Sequence, residues 1–155
     1  MAALGHLGVS LAAKRFIPRV PLWVVLVAGF VIDLLWVAFT LAGLEAIGNV
    51  PWSHSLFMSA VWSLTAGLLA WRIFRSHRIG AAIGLVVFSH WLLDLISHPM
   101  GIGNTVRDIP LFFAGSPLVG LGLYSSIPGI LAGELGLPLV GLAVYIGWLR
   151  GQKAG

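Results

Sequence analysis

The stretch IGAAIGLVVFSHWLLDLISH, residues 79–98, is long and apolar enough to cross a lipid bilayer as a single helix. Its only ionisable residues are His90, Asp94 and His98. Their spacing of four residues places them within an arc of about 80° on one helix face. Ionisable side chains at membrane depth are costly and are therefore candidates for function. The stretch predicts a transmembrane helix with one polar face.

The rest of the chain has the same apolar character. Of its 155 residues, 59% are hydrophobic and 9% are charged, whereas a soluble domain has about 25% charged residues. The predicted membrane segments are a short one at 2–13 and long ones at 21–43, 54–74, 79–98 and about 126–149. We therefore predict an all-α fold, an integral membrane helical bundle of about four long transmembrane helices plus a short N-terminal membrane helix. It forms a single domain over residues 1–155, and whether the short helix crosses is left open.

The connections are read from turn and cap residues. The 44–53 connector is brief, and 99–125 is predicted to be an ordered loop because its prolines and glycines interrupt any helix. Ser125 or Ser126 is expected to cap the last helix, and Pro138 is expected to kink it.

Lys and Arg lie in short clusters at 14–19, 72–78 and 150–153. The positive-inside rule assigns these clusters to the cytoplasmic side and assigns 44–53 and 99–125 to the outside. The protein is therefore expected in a membrane, with the lipid bilayer as its partner. Lys and Arg residues confined to such clusters do not form the continuous basic surface that binds nucleic acid, so no nucleic-acid partner is predicted.

Seven ionisable residues lie in or at the ends of the apolar segments: His6, Asp33, His54, His90, Asp94, His98 and Glu134. At about 1.5 Å per residue, His90, Asp94 and His98 lie roughly 16, 22 and 28 Å above the cytoplasmic end of their span. The same estimate places all seven in the outer half of the bilayer. Because the topology was assigned from Lys and Arg alone, this agreement is independent evidence for a shared polar site.

His90 and Asp94 are one helical turn apart, so both can bind one metal ion. His98 lies about 12 Å along the axis from His90, too far for all three to hold one ion. Three roles remain open for His98: it supports a metal ligand, it is a ligand of a second metal site, or it lies at the entrance to the site. The alternatives without metal are a histidine that hydrogen-bonds a neighbouring helix and an aspartate that is neutral or paired with Arg107. His77, among arginines, is predicted to contact lipid headgroups instead.

These residues resemble a known group. The order Gly5-His6, Asp33, His54-Ser55 and Ser89-His90-x-x-x-Asp94 is similar to that of bacterial inner-membrane proteins described as membrane-bound metal-dependent hydrolases. The similarity covers roughly residues 1–100, and the stretch 108–124 together with Glu134 resembles an uncharacterised sub-group near them. Two features depart from the pattern: Leu34 and Leu35 stand where a second acid is common, and Pro51-Trp52-Ser53 stands where a His-Arg pair is common.

The resemblance implies a location in the bacterial cytoplasmic (inner) membrane, a divalent metal, with zinc as the expected ion, and hydrolysis of an ester or phosphoester. Its implied ligands are His6, Asp33, His54, His90 and Asp94. The two departures reduce the number of ligands, which favours one metal ion over two. They are also compatible with a family member that has lost catalytic activity.

The chemistry expected at such a site is metal-activated water, which suits a chain with no cysteine nucleophile. Asp33 or Glu134, whichever is free of the metal, is the expected general base, and His98 is a further candidate active-site residue. A site in the outer half suits a lipid or amphiphilic substrate. Two alternatives remain open: a metal or proton transporter, and a scaffold with a structural metal.

Overall fold

The computed structural model describes residues 3–46, 49–99, 107–113 and 115–153, and within them the chain is a bundle of five helices. The helices are α1 (Ala3–Ala13), α2 (Leu22–Leu41), α3 (Leu56–Phe74), α4 (His77–Ser97) and α5 (Ile127–Lys153). The only strands in the described residues are β1 (Ile109–Pro110) and β2 (Leu118–Val119), which pair antiparallel. The predicted all-α class is confirmed.

Four of these helices, α2 to α5, are long and apolar enough to cross a membrane. α1 has 11 residues, which is too short for an ordinary span of roughly 20. Large apolar side chains point outward from the bundle, among them Leu41 at 84% and Ile73 at 71% exposure. A soluble monomer rarely exposes so many large apolar groups, whereas lipid solvates them. These observations indicate a membrane protein.

Serine side chains begin three of the long helices, since the first N–H groups of a helix lack partners within it. Ser55 accepts a hydrogen bond from the Met58 amide, Ser76 from Ile79 and Ser126 from Gly129. The cap predicted at Ser125 or Ser126 is thus Ser126. α4 begins at His77, two residues before the predicted start, because Ser76 is its cap.

The last helix contains a π-helical turn, Ala132–Gly136, between α-helical segments Ile127–Leu131 and Leu137–Lys153. The Leu137 amide donates to the Ala132 carbonyl across this turn. Pro138 follows directly and has no N–H to donate, so the usual bonding pattern cannot continue through it. The irregularity predicted at Pro138 therefore takes the form of a π turn on its N-terminal side.

α1 is enclosed by α2, α4 and α5, while α3 packs mainly on α4. Glycines allow α1 and α5 to approach closely: a Cβ at Gly8 would overlap the Leu137 carbonyl, and one at Gly141 would overlap the Gly8 carbonyl. An apolar core, which includes Val25 of α2 and Ile83 and Val87 of α4, is buried between these helices. This packing holds α1 inside the bundle rather than at its edge.

The loop after α4 folds over the end of that helix. The Leu121 amide donates to the Leu95 carbonyl at 2.8 Å, and the Phe57 amide donates to the Leu111 carbonyl at 3.1 Å. The prediction of an ordered loop therefore holds for 107–113 and 115–125, while 100–106 and 114 lie outside the described residues, as do 47–48 of the connector.

Candidate metal centre

Five of the predicted residues meet at one end of the bundle. His6 comes from α1, Asp33 from α2, His54 from the residues just before α3, and His90 and Asp94 from α4. Their side chains are between 1% and 11% exposed. Five ionisable groups from four parts of the chain thus share one buried volume.

Four of these residues form a closed ring in which imidazole Nε2 atoms alternate with carboxylate oxygens. Asp33 Oδ1 lies 3.5 Å from Nε2 of both His54 and His90. Asp94 Oδ2 lies 3.6 Å from His54 Nε2 and 3.3 Å from His90 Nε2. His6 stands beside the ring, with its Nε2 3.5 Å from Asp94 Oδ1 and its ring stacked on His90 at 3.7 Å.

These separations are longer than hydrogen bonds, which span about 2.7–3.2 Å for N–H···O. Both ring nitrogens of His6, both oxygens of Asp33 and Nε2 of His90 have no hydrogen-bond partner. Buried polar groups almost always have one. Three of these atoms, Nε2 of His6, Nε2 of His90 and Oδ1 of Asp33, face the cluster and are ligand atoms that a metal ion would bind.

The His90 ring is oriented by the backbone of α2. Its Nδ1 lies 2.9 Å from the Gly29 carbonyl oxygen, and a carbonyl can only accept, so Nδ1 carries the proton. In a neutral imidazole the other nitrogen, Nε2, then has a lone pair. That lone pair faces the carboxylates of Asp33 and Asp94.

The His54 ring is oriented by a relay of side chains. Ser53 Oγ donates to Glu45 Oε2 at 2.7 Å, so the serine can only accept from His54 Nδ1, which is also 2.7 Å away. Glu45 is fixed in turn by the amides of Trp52 and Ser53, at 2.7 and 2.8 Å. In its neutral form, His54 therefore also presents an Nε2 lone pair to the ring.

When both imidazoles are neutral, their Nε2 lone pairs and the carboxylate oxygens repel one another unless a cation lies between them. Two ligands about 2.05 Å from a tetrahedral ion lie roughly 3.3 Å apart, close to the separations of neighbouring atoms around the ring. Within the set His6, Asp33 and His90, and within the set His54, His90 and Asp94, one ligand atom from each residue lies within 4.8 Å of the other two. The cluster therefore fits a divalent metal ion by ligand type, spacing and lack of other partners.

His98 lies at the edge of the cluster rather than inside it. Its Nε2 is 4.0 Å from Asp94 Oδ1, and its Nδ1 donates to Asp108 Oδ1 at 2.7 Å. Its side chain is 19% exposed and that of Asp108 35%, against 1% for His90. His98 and Asp108 thus form the most accessible margin of the cluster.

Glu134 is not brought into the ring. Its carboxylate accepts hydrogen bonds from the Leu4 amide at 2.9 Å and from the Tyr124 hydroxyl at 3.2 Å. Burial, reinforced by the negative charge of Glu134, raises the pKa of Tyr124, so its hydroxyl stays protonated and donates. Glu134 thereby joins the N-terminus of α1 to the start of α5, and its role as a general base stays a prediction.

The remaining charged residues lie elsewhere. His77 is exposed and stacks on Trp71 with ring centroids 4.5 Å apart, far along α4 from His90. Among the described residues, every ion-pair partner of Asp33 and Asp94 is an imidazole, and Arg107 pairs with neither.

No protein-family model, curated protein or solved structure matches the chain. What the site can do is therefore argued from its own geometry.

The sequence reading missed the residues that orient the imidazoles. Glu45 and Asp108 are the chain's two acids outside the apolar segments, and each turns out to support a histidine of the cluster. An acid in an otherwise uncharged connector was the available signal for Glu45. No sequence signal pointed to the Gly29 carbonyl, because any residue has one.

Proposed function

We propose that this chain is a membrane-embedded metal-dependent hydrolase, with zinc as its ion, acting on an ester or phosphoester of a membrane-associated substrate. The observation that carries the proposal is the closed ring of His54, Asp33, His90 and Asp94. Neighbouring ligand atoms around the ring are 3.3–3.6 Å apart, and the Nδ1 contacts of His54 and His90 turn their Nε2 atoms toward the carboxylates. The resemblance to bacterial inner-membrane metal-dependent hydrolases agrees with it.

A divalent ion, when bound, would supply Lewis acidity and would lower the pKa of a water molecule toward about 7, so that hydroxide would be available at neutral pH. The chain's own contribution is to hold the ion and exclude bulk water. Imidazole and carboxylate are the ligand types that zinc takes at catalytic sites. The chain offers them without a cysteine.

The partly exposed edge of the cluster at His98 and Asp108 is the proposed entry route for the substrate. His98 Nδ1 is bonded to the Asp108 carboxylate, so its Nε2 is free to accept or, when protonated, to donate a proton at the cluster's edge. Exposed apolar residues such as Phe112 and Phe113 lie in the loop that carries Asp108. A polar reaction centre next to an apolar margin suits an amphiphilic molecule.

A metal or proton transporter is one alternative. A proton or ion relay needs a chain of polar groups through the membrane. Beyond the cluster the described core is mainly apolar, with residues such as Val25, Ile83 and Val87, but the buried Ser10 and Lys14 follow His6 at about one and two turns, along α1 and just past its end. A scaffold with a structural metal is the other alternative, because a buried set of imidazole and carboxylate ligands also suits a structural ion.

Metal content is the first test. Protein purified in detergent should contain zinc or a similar ion by elemental analysis. His90→Ala should lose it, because two of the four ring contacts involve His90 Nε2. His77→Ala is the matched control on the same helix and should retain it.

Turnover is the second test. A panel of phospholipids and lipid phosphates in detergent should be hydrolysed with metal and not after chelation. If metal-loaded protein hydrolyses none of them and metal removal only lowers the melting temperature, the structural scaffold replaces the enzyme. Ion flux across liposomes that contain the protein would instead identify a transporter.

A further inference from the structure

Two apolar grooves run side by side along the outward face of α4. One lies between α3 and α4 and has a volume of about 470 Å³, and the other lies between α1 and α4 and has a volume of about 450 Å³. Ala81 and Leu85 line both grooves, so these two residues form the ridge between them. Leu85 is 69% exposed. The grooves therefore face lipid rather than the interior of the bundle.

The length of the grooves is close to the depth of one leaflet. The first groove extends along α4 from His77 to Phe88, about 16 Å at about 1.5 Å per residue, and the second from Arg78 to Val86, about 12 Å. Half of the roughly 30 Å hydrocarbon core of a bilayer is about 15 Å. The Ser63 hydroxyl in the first groove donates to a carbonyl of its own helix, so it needs no polar occupant. Each groove thus fits one acyl chain.

Both grooves end at a basic side chain. His77 lines the end of the first groove and Arg78 the end of the second, and Arg75 precedes them in the turn between α3 and α4. All three are exposed, and among the described residues none of them pairs with an acid, because the chain's five acids bond other groups. α4 also begins here, and the N-terminus of a helix favours a negative charge. This end of the grooves therefore suits an anionic headgroup.

We propose that one anionic phospholipid occupies both grooves, with one acyl chain in each and its phosphate against His77 and Arg78. A two-chain lipid accounts for two grooves that lie side by side and end at the same basic level. A second copy of this chain in the same orientation would bring another arginine cluster to that level, where like charges repel. The site lies roughly 20 Å along α4 from His90 and needs no metal, so the inference goes beyond the proposed function.

Native mass spectrometry of the detergent-purified chain tests the headgroup end. Two lipids with the same acyl chains are compared, anionic phosphatidylglycerol and zwitterionic phosphatidylcholine. We expect one phosphatidylglycerol bound per chain in preference to phosphatidylcholine. Arg78→Gln should weaken phosphatidylglycerol binding about fivefold, the contribution of one basic side chain near an anionic lipid. Arg150→Gln is the matched control, because Arg150 is an exposed arginine near the end of α5 that lines neither groove.

A second pair of variants tests the grooves themselves. Ala81 is exposed and lines both grooves, so the indole of Ala81→Trp would fill them without entering the core and should abolish the preference for phosphatidylglycerol. Ala143→Trp, at an exposed position on α5 outside both grooves, should leave it unchanged.

Three results would overturn the lipid site. They are equal binding of the two lipids by the unmodified protein, equal effects of Arg78→Gln and Arg150→Gln, and a dimer that Ala81→Trp dissociates, which would assign the grooves to a second copy of the chain. The arginine pair decides the question if Ala81→Trp fails to fold. Metal content measured on the same samples should not change, so failure of the lipid site leaves the proposed function standing, and a chain without metal leaves the lipid site standing.

Discussion

At the scale of single residues, the site depends on which imidazole nitrogen carries the proton. Nδ1 of His90, His54 and His98 is committed to a carbonyl, a serine hydroxyl and a carboxylate respectively. Each bond leaves Nε2 free to face the aspartates. Supporting bonds of this kind fix ring orientation and raise the basicity of the ligand. The residues that make them therefore matter nearly as much as the ligands.

Glu45 gives the first prediction. Glu45→Gln removes the carboxylate that accepts from Ser53 and from two backbone amides, so His54 is held less firmly. We expect roughly 10- to 100-fold weaker metal binding, measured by competition with a chromophoric chelator. Metal affinity equal to that of the unmodified protein would show that the relay does not orient His54.

Glu134 gives the second prediction and separates two roles. Glu134→Gln should keep its full metal content, because the carboxylate bonds Leu4 and Tyr124 rather than the ring. Asp33→Asn should reduce metal content, since Asp33 Oδ1 faces two ring imidazoles. Elemental analysis of both variants decides this. Turnover of Glu134→Gln then tests whether Glu134 is the general base. If it is, this variant loses hydrolysis although it keeps its metal.

At the scale of helices, the position of α1 decides whether His6 joins the cluster. α1 is too short to span a membrane and has to be placed by its neighbours. Glycines at the α1–α5 contact and the Glu134 bond to its first turn hold it there. A helix that carries one ligand thus depends on side chains that have no metal role.

The third prediction follows from that contact. A Cβ at Gly141 would overlap the Gly8 carbonyl, whereas Gly147, further along the same helix, has open space around it. Gly141→Ala should therefore destabilise the fold by about 1–3 kcal/mol and reduce metal content by displacing His6. Gly147→Ala is the control and should be neutral or up to about 1 kcal/mol stabilising. Melting temperature and metal content in detergent measure both, and equal behaviour of the two variants would contradict the contact.

At the scale of the whole molecule, charge is separated along the bundle. Two of the chain's five acids are in the ring, two orient histidines of the cluster, and Glu134 bonds the first turn of α1. Eight of its nine Lys and Arg residues lie in the clusters at 14–19, 72–78 and 150–153. By the positive-inside rule, this separation predicts that the site lies toward the outer face.

Topology is the fourth prediction. The chain has no cysteine, so single cysteines report position without background. Ala46→Cys, in the connector before α3, should react with an impermeant maleimide in intact cells, and Ser76→Cys, between α3 and α4, should react only after the membrane is opened. Reaction of position 76 from outside would reverse the orientation and place the site in the inner half.

Much of the fold could be predicted from local sequence. Apolar length located the helices that became α2, α3, α4 and α5, and the serine before Ile127 gave the correct cap. Lipid solvation acts on each segment separately, so composition alone is sufficient to find a span. The one-turn pair His90 and Asp94 was equally local, because helical periodicity places them together.

The arrangement of the site was decided only by tertiary structure. The Gly29 carbonyl orients the His90 ring, although the two residues are 61 positions apart in the chain. This contact depends on how α2 and α4 face each other. Helix packing also directs the Glu134 carboxylate to the Tyr124 hydroxyl, although its predicted depth in the membrane was the same as that of the ligands. Depth is a property of one helix, whereas the direction in which a side chain points into the bundle depends on the rotation of every packed helix. The sequence by itself therefore determined which residues share a level in the membrane, and helix packing determined which atoms meet.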